Sequence, residues 1–335
     1  MIDYNRIIEI LKSNNSFVIT THVNPDGDAI GSELALAYFL QKLEKKIWII
    51  NHSPTPENFI FLDEENLIQK YDAKLDDYIL NADVLLAVDF NSLGRARSMM
   101  QVLEKSKAYK VIIDHHRNPQ NFVNEIFYDI DEPATGNIIY KLIKTYNPDL
   151  IDKKTADALY AAIMTDTGSF RFERITPELH LIVADLISRG ANPSYIYNKI
   201  YNEMSIEKLK LLGEAITNIN LEADGKIAFM ILDRQLIEKY VKTEEEFDVD
   251  GFVNYCLSLK SVKVGLLFFE LKNGVKVSLR SKEKFPVNSL AEKFGGGGHL
   301  NAAGIRLDGM KLNEVLPKVI QQAIEDLKQY EGELQ

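Results

Sequence analysis

Along the first 130 positions, short runs of β-branched and aromatic residues alternate with stretches whose apolar side chains recur at helical spacing. Residues 17–21, 47–51, 84–90 and 111–114 are rich in Val, Ile and aromatics, the pattern of buried strands. Between the first two, residues 29–43 carry Ile30, Leu34, Ala37 and Tyr38 at helical spacing, and another helix begins over 5–11. Strand and helix alternating in this way predict an α/β domain on a mainly parallel sheet flanked by helices. From 133 to about 212 the pattern is largely helical, with helices expected over 135–146, 153–165, 177–188, 193–201 and 206–217. Pro177 and Pro193 stand near helix starts, where the missing N–H costs least.

A second unit starts near Ile219. Residues 226–232, 262–271 and 275–280 read as strands, Asn273-Gly274 as the hairpin turn between the last two, and 286–294 and 312–329 as helices. The expected organisation is a larger N-terminal domain over 1–191, a helical linker over 192–218 and a smaller mixed α/β domain over 219–335. A cleft between the two domains is the natural ligand site. At 335 residues the chain is long enough to give each domain its own core.

Composition narrows the setting. The apolar fraction of 46% and charged fraction of 26% are those of an ordinary globular protein. No stretch reaches the ~20 apolar residues of a membrane helix, and the N-terminus lacks the features of a signal peptide. One cysteine, Cys256, excludes an intramolecular disulfide, so a cytoplasmic protein is expected, without a membrane partner. The net charge of −10 argues against coating long nucleic acid. Residues 261–310 nevertheless hold eight basic against four acidic side chains, a net +4 that leaves −14 elsewhere. Such a segment suits a compact anion, and a solvated charged face equally well.

Acids and histidines gather at the ends of the predicted strands. His22, Asp26 and Asp28 occupy the loop between the first strand and its helix. Asp89 ends the strand 84–90, Asp114-His115-His116 ends the strand 111–114, and Asp166 ends a helix. The carboxyl ends of parallel strands open on one crevice, so the first three groups should meet. Imidazole and carboxylate without sulfur suit divalent Mn, Fe, Co or Zn. Carboxylates crowded into a dry crevice must either take up protons or be neutralised by cations. Two divalent ions about 3.5–4 Å apart would activate water and clamp the charge of an in-line displacement at phosphorus. Taken singly, each feature has a plainer role: Asp28 can cap its helix, and paired histidines are common on surfaces. His52 and His180 lack such a setting and read as structural or exposed, while Phe170 and Phe172 read as core. Arg95 follows Asp89 and can reach either a phosphate or solvent. In the second unit, Gly295 to Gly298 permit positive φ and close backbone approach, with Gly295 ending the helix before it. Their successive N–H groups would form an anion nest beside His299.

The ordered set His-x-x-x-Asp-x-Asp, Val-Asp, Asp-His-His and Thr-Asp-Thr-Gly resembles the DHH phosphoesterase family. The run Gly295-Gly296-Gly297-Gly298-His299-x-x-Ala302-Ala303-Gly304 resembles the signature of the DHH-associated C-terminal domain. The resemblance spans nearly the whole chain. It is to the small two-domain oligoribonucleases that also dephosphorylate 3′-phosphoadenosine 5′-phosphate.

That resemblance implies His22, Asp26 and Asp89 on one metal and Asp28, Asp89, His115 and Asp166 on the other, with Asp89 bridging. His116 would face the scissile phosphate and Asp114 would orient the histidines. Arg280, His299, Gly296, Gly297 and Gly298 would bind substrate, with Arg95 assisting. The implied cofactors are two divalent cations, Mn²⁺ first, with Mg²⁺ or Co²⁺ as substitutes. The implied reaction is attack of hydroxide on phosphorus in RNAs of about two to five nucleotides, giving nucleoside monophosphates. Short RNA and small nucleotides are the expected partners, and a homodimer is compatible with the family. A phosphodiesterase for cyclic di-AMP or linear diadenylate shares the same motifs, and a non-catalytic nucleotide sensor is the alternative outside enzymes.

Overall fold

In the computed structural model of the chain, residues 2–116, 119–172, 174–240, 249 and 251–333 are described. They form two compact units, Met1–Glu203 and Met204–Gln335.

The first unit is built on six parallel strands: β1 (Ser16–Thr20), β2 (Lys46–Asn51), β3 (Ile68–Lys70), β4 (Val84–Val88), β5 (Tyr109–Asp114) and β6 (Glu125–Tyr128). Their spatial order is β3-β2-β1-β4-β5-β6. Both faces are covered, which is why the strands read as continuous apolar runs. Phe17 and Ile19 of β1 and Leu86 and Val88 of β4 enter one core, with the helices Gly27–Lys42, Thr135–Tyr146 and Lys153–Asp166. Val18, Leu85 and Ala87 enter the other, with Ile79, Met99 and Leu103. Because the order reverses between β1 and β4, their carboxyl ends diverge and leave a crevice there, the usual ligand position of such sheets.

Helix Gly27–Lys42 is buried from Gly27 to Leu40, so its sequence lacks a polar face. Its neighbour Lys153–Asp166 lies against it at a distance only glycine permits. A Cβ on Gly31 would stand 2.3 Å from the carbonyl oxygen of Ala158, and one on Gly27 would stand 2.5 Å from the Thr165 side chain. This contact brings the start of one helix, with Asp28, to the end of the other, with Asp166.

The second unit carries a mixed sheet of β7 (Asn220–Glu222), β8 (Ile227–Leu232), β9 (Val264–Leu271), β10 (Gly274–Ser281), β11 (Gly297–His299) and β12 (Ala302–Asp308). The order is β11-β12-β10-β9-β8-β7, antiparallel except for the parallel pair β8–β9. Alternate residues of β8 and β9 feed two cores, one under helix Leu312–Glu333 and the other under helix Ile206–Thr217. The expected α/β class, with a parallel sheet first and a smaller mixed unit second, is the one observed. The short edge strands β3, β6 and β7 and the hairpin β11–β12 were not anticipated. Helix 193–201 ends earlier than expected, at Tyr197, and continues as a π turn, Asn198–Asn202.

Replacing Gly31 by Ala should destabilise the chain by about 1–3 kcal/mol through overpacking, although Ala is the better helix former by roughly 1 kcal/mol. Urea denaturation with an unchanged m-value measures this. A midpoint at or above that of the wild type would show that the two helices have room to spare.

Candidate metal centre

Eight side chains from four segments converge at the carboxyl ends of β1, β4 and β5. His22 follows β1 and is buried. Its Nδ1 lies 2.9 Å from the Val23 carbonyl oxygen, to which it donates, and this leaves the lone pair on Nε2. That Nε2 is 3.4 Å from Asp89 Oδ2 and has no hydrogen-bond partner among the described residues. His115 follows the same pattern, with Nδ1 3.1 Å from the Glu132 carbonyl oxygen. Its Nε2 faces Asp166 Oδ2 at 3.3 Å and Asp28 Oδ2 and Asp89 Oδ1 at 3.6 Å.

Two imidazole lone pairs thus point at carboxylate oxygens. Acceptor facing acceptor in a buried site is repulsive unless a cation stands between them, so the donor set fits divalent metal ions. Two groups of three ligand atoms within 4.8 Å of one another could each hold one: His22, Asp26 and Asp89, and Asp28, His115 and Asp166. Asp89 belongs to the first and turns its second oxygen to the other. Its backbone is held at φ 54, a conformation that ordinarily favours glycine and is concentrated at functional sites.

The surrounding backbone fixes these carboxylates by capping helices. Asp26 caps its own helix, accepting from the N–H groups of Asp28 and Ala29 at 3.1 Å. Asp28 caps a different one: the N–H groups of Thr135 and Gly136 donate to its two oxygens at 2.7 and 2.8 Å, and Ser32 Oγ donates at 3.0 Å. Thr135 Oγ1 also donates to Asp89 Oδ1 at 2.9 Å. Asp114 Oδ1 accepts from the N–H of His115 at 2.8 Å, the N–H of His116 at 3.1 Å and His116 Nδ1 at 2.7 Å, so one buried oxygen orients both histidines.

Burial, with Asp89, Asp166 and Asp26 nearby, pushes Asp28 well above the ordinary carboxylate range. Burial pushes Asp166 up to about 6. Asp89 feels the same burial, but His116, His22 and His115 hold it well below that range. His116 is raised to about 9: burial opposes its charge, and Asp89 and Asp114 outweigh burial.

Sequence reasoning missed Thr135, whose Ala134-Thr135-Gly136 setting at a helix start was the available signal. It also missed the support behind His22. Asn51 Oδ1 accepts from the Thr21 N–H at 3.1 Å, while Asn51 Nδ2 donates to Glu33 Oε1 at 2.8 Å. Burial pushes Glu33 well above the ordinary carboxylate range. Arg95 packs beside the same loop, its carbonyl accepting from the Val23 N–H at 2.9 Å.

In the second unit the glycine run is not an open loop. The N–H of Gly295 bonds to the Glu292 carbonyl and that of Gly296 to the Ala291 carbonyl, closing helix Val287–Glu292 with Gly295 at φ 74. That removes the Gly296 N–H from the expected nest. Gly297 to His299 then pair with Ala302 to Gly304 as β11–β12. Cβ atoms on Gly296 and Gly298 would stand 2.2 and 2.4 Å from the carbonyl oxygens of Gly304 and Ala302. Those two glycines answer to the hairpin, whereas Gly297 has open space around it. Arg280 pairs with Ala302, and Ala302 with His299, so the three lie in one row across β10, β12 and β11.

Residues 16–163 match the N-terminal domain of the DHH family, and residues 233–330 match the DHHA1 domain. An exopolyphosphatase-related protein from Bacteroides fragilis is 34% identical and superposes with a TM-score of 0.89, over 98% of this chain and 96% of that one. The chain belongs to the DHH family. Two further DHH relatives are bifunctional oligoribonucleases and PAP phosphatases. That of Thermus thermophilus is 27% identical over 96% of this chain and 93% of its own length, and that of Bacillus subtilis 26% over 89% and 91%. Among the described residues no helix is long and apolar enough to cross a membrane.

Two measurements test the centre. Protons compete with metal for Asp166, which is protonated below about 6. Mn²⁺ affinity should therefore rise as pH increases from 5 to 7, with proton release visible by calorimetry in buffers of different ionisation enthalpy. Affinity independent of pH over that range would refute carboxylate ligation. Asn51→Leu should weaken Mn²⁺ binding by about 10–100-fold, the size of a lost outer hydrogen bond, while Glu33→Gln, which preserves a neutral acceptor, should bind near normally. Equal losses in both variants would mean that the buried side chains serve packing alone.

Proposed function

We propose that this DHH protein is a metal-dependent phosphoesterase that hydrolyses short oligoribonucleotides to nucleoside monophosphates and dephosphorylates 3′-phosphoadenosine 5′-phosphate. The observation that carries the reading is Asp89, whose two oxygens face His22 on one side and His115 on the other. Such a carboxylate suits a pair of cations, and the names of the DHH relatives supply the substrate classes.

His22, Asp26 and Asp89 would hold one cation and Asp28, Asp89, His115 and Asp166 the other, with Mn²⁺ the preferred metal and Mg²⁺ or Co²⁺ as substitutes. When bound, the pair supplies an activated water and electrostatic stabilisation of an in-line displacement at phosphorus. His116, whose Nδ1 is held by Asp114, would turn Nε2–H to a non-bridging phosphate oxygen and stabilise charge as it develops. Thr135 keeps Asp28 and Asp89 oriented so that neither carboxylate turns toward the substrate. Arg280, His299 and the Gly297–Gly298 backbone grip a second phosphate, Arg280 by a bidentate contact, and Arg95 assists from beside the His22 loop.

Asp89→Asn preserves shape and removes the shared charge. It should abolish turnover and lower metal content, while circular dichroism and the urea midpoint stay native. Near-wild-type turnover by the folded variant in Mn²⁺ would remove the two-cation assignment. Product time courses on a ladder of 5′-phosphorylated RNAs, with 3′-phosphoadenosine 5′-phosphate and cyclic di-AMP alongside, test the substrate. Efficient cleavage is expected at roughly two to five nucleotides, a limit that the family resemblance implies and that an acidic chain, able to neutralise few phosphates, makes physically reasonable. Equal efficiency on a twenty-nucleotide RNA, or turnover of the cyclic dinucleotide alone, would overturn this reading.

A further inference from the structure

We propose that His52, Lys70 and Arg97 form a second phosphate subsite in the first unit, beside the metal centre and further along the sheet, for the phosphate of a neighbouring nucleotide. The inference rests on the phosphoesterase reading for the identity of its ligand, and on the fold for its position.

Strand order places it. Lys70 ends β3 and pairs with Asn51, which ends β2, and His52 is the next residue. The His22 loop follows β1, the next strand along. Strands stand about 4.8 Å apart, so the ends of β2 and β3 lie about one and two spacings from the metal ligands, on the order of one nucleotide step. A single segment, Leu93–Met99, joins the two places. Its Arg95 carbonyl accepts from the Val23 N–H at 2.9 Å, and its Ser98 Oγ lies 2.7 Å from His52 Nδ1. The Ser98 N–H also points at that nitrogen, at 3.4 Å. An Nδ1 that accepts leaves Nε2–H as the donor.

Charge gathers at this place. Lys70 and Arg97, like Lys12, Lys46, Lys74 and Lys105 elsewhere in the unit, are in no ion pair among the described residues, and both stand close enough to His52 to act on its imidazole. Burial, together with Arg97 and Lys70, holds the His52 imidazole below its ordinary value, so it is neutral at pH 7 and donates without adding charge. Arg97 is also held at φ 50, ψ −113, a conformation that side-chain-bearing residues rarely adopt. Uncompensated cations on an acidic chain, next to a centre built for phosphorus, complement an anion whose position is set by the substrate's own backbone.

The test compares the wild type with Lys70→Ser/Arg97→Gly, in which glycine relieves the positive φ and removes the guanidinium. Equilibrium binding of a fluorescent 5′-phosphorylated trinucleotide is measured against salt, with Ca²⁺ as the cation. The variant should bind at least tenfold more weakly, and its log Kd against log salt slope should be shallower by about 1.4, about 0.7 for each lost contact to a single strand. In Mn²⁺, kcat/KM should fall at least tenfold more on the trinucleotide than on a p-nitrophenyl ester of thymidine 5′-phosphate, which has one phosphate. Binding and salt slope within twofold of wild type would overturn the subsite, as would equal losses on both substrates. If wild type hydrolyses neither substrate, the phosphoesterase reading fails, and the binding measurement still decides the subsite. Arg97→Glu alone, predicted to weaken binding further, provides the check should the double variant not fold.

Discussion

Three carboxylates and two imidazoles share a space from which water is largely excluded, and the cost of charge in that space organises the first unit. Asp28 and Asp89 are almost wholly buried, Asp166 mostly so, and His22 and His115 send lone pairs toward them. Burial pushes Asp28, Asp89 and Asp166 toward neutrality. The site resolves the conflict unevenly. Asp89, facing three imidazoles, stays ionised, while Asp28 and Asp166 rise until a proton or a cation satisfies them. A centre so arranged resists folding around permanent charge and accepts cations readily, because the carboxylates are already aimed and only protons must leave.

The aiming is done by backbone. Helix starts supply N–H groups with fixed direction and favour negative charge, and two of the acids are the caps of two helices. Thr135 binds Asp28 through its N–H and Asp89 through its hydroxyl, so one residue sets the angle between carboxylates on different elements. The glycines Gly27, Gly31 and Gly136 then allow three helices to approach until these caps meet. A change in that packing would move ligands before it moved anything else.

This explains what was legible in the sequence. The central strands, the long helices and the acids at strand ends follow from patterns of local origin: apolar runs, helical spacing, and ligand-type residues where a parallel sheet must open. The plainer expectation, that Asp28 caps its own helix, is not met: Asp26 caps that one, and Asp28 caps a helix that begins 107 residues away in sequence. Nothing near Asp28 announces Thr135. Likewise Glu33 sits amid apolar residues of a buried helix, and its partner Asn51 is 18 residues on. The β11–β12 hairpin was hidden because four glycines lack strand propensity. It forms because small residues let Gly296 and Gly298 pass close to the carbonyls of Gly304 and Ala302.

The distribution of charge completes the argument. A chain with a net charge of −10 cannot collect polyanions by its field at large, so affinity for phosphate has to be local. Locality requires cations that no carboxylate has already claimed, since an ion pair on the surface has little attraction left to offer. In the first unit Arg6, Lys42, Lys141, Lys153, Lys154, Arg189 and Lys199 are spent on such pairs. Lys70, Arg95 and Arg97 lie at the same edge of the sheet as the metal ligands and are not. A phosphate brought there would meet cations whose attraction is not already taken up by a carboxylate. The preference for short chains proposed above would be consistent with a small number of such contacts.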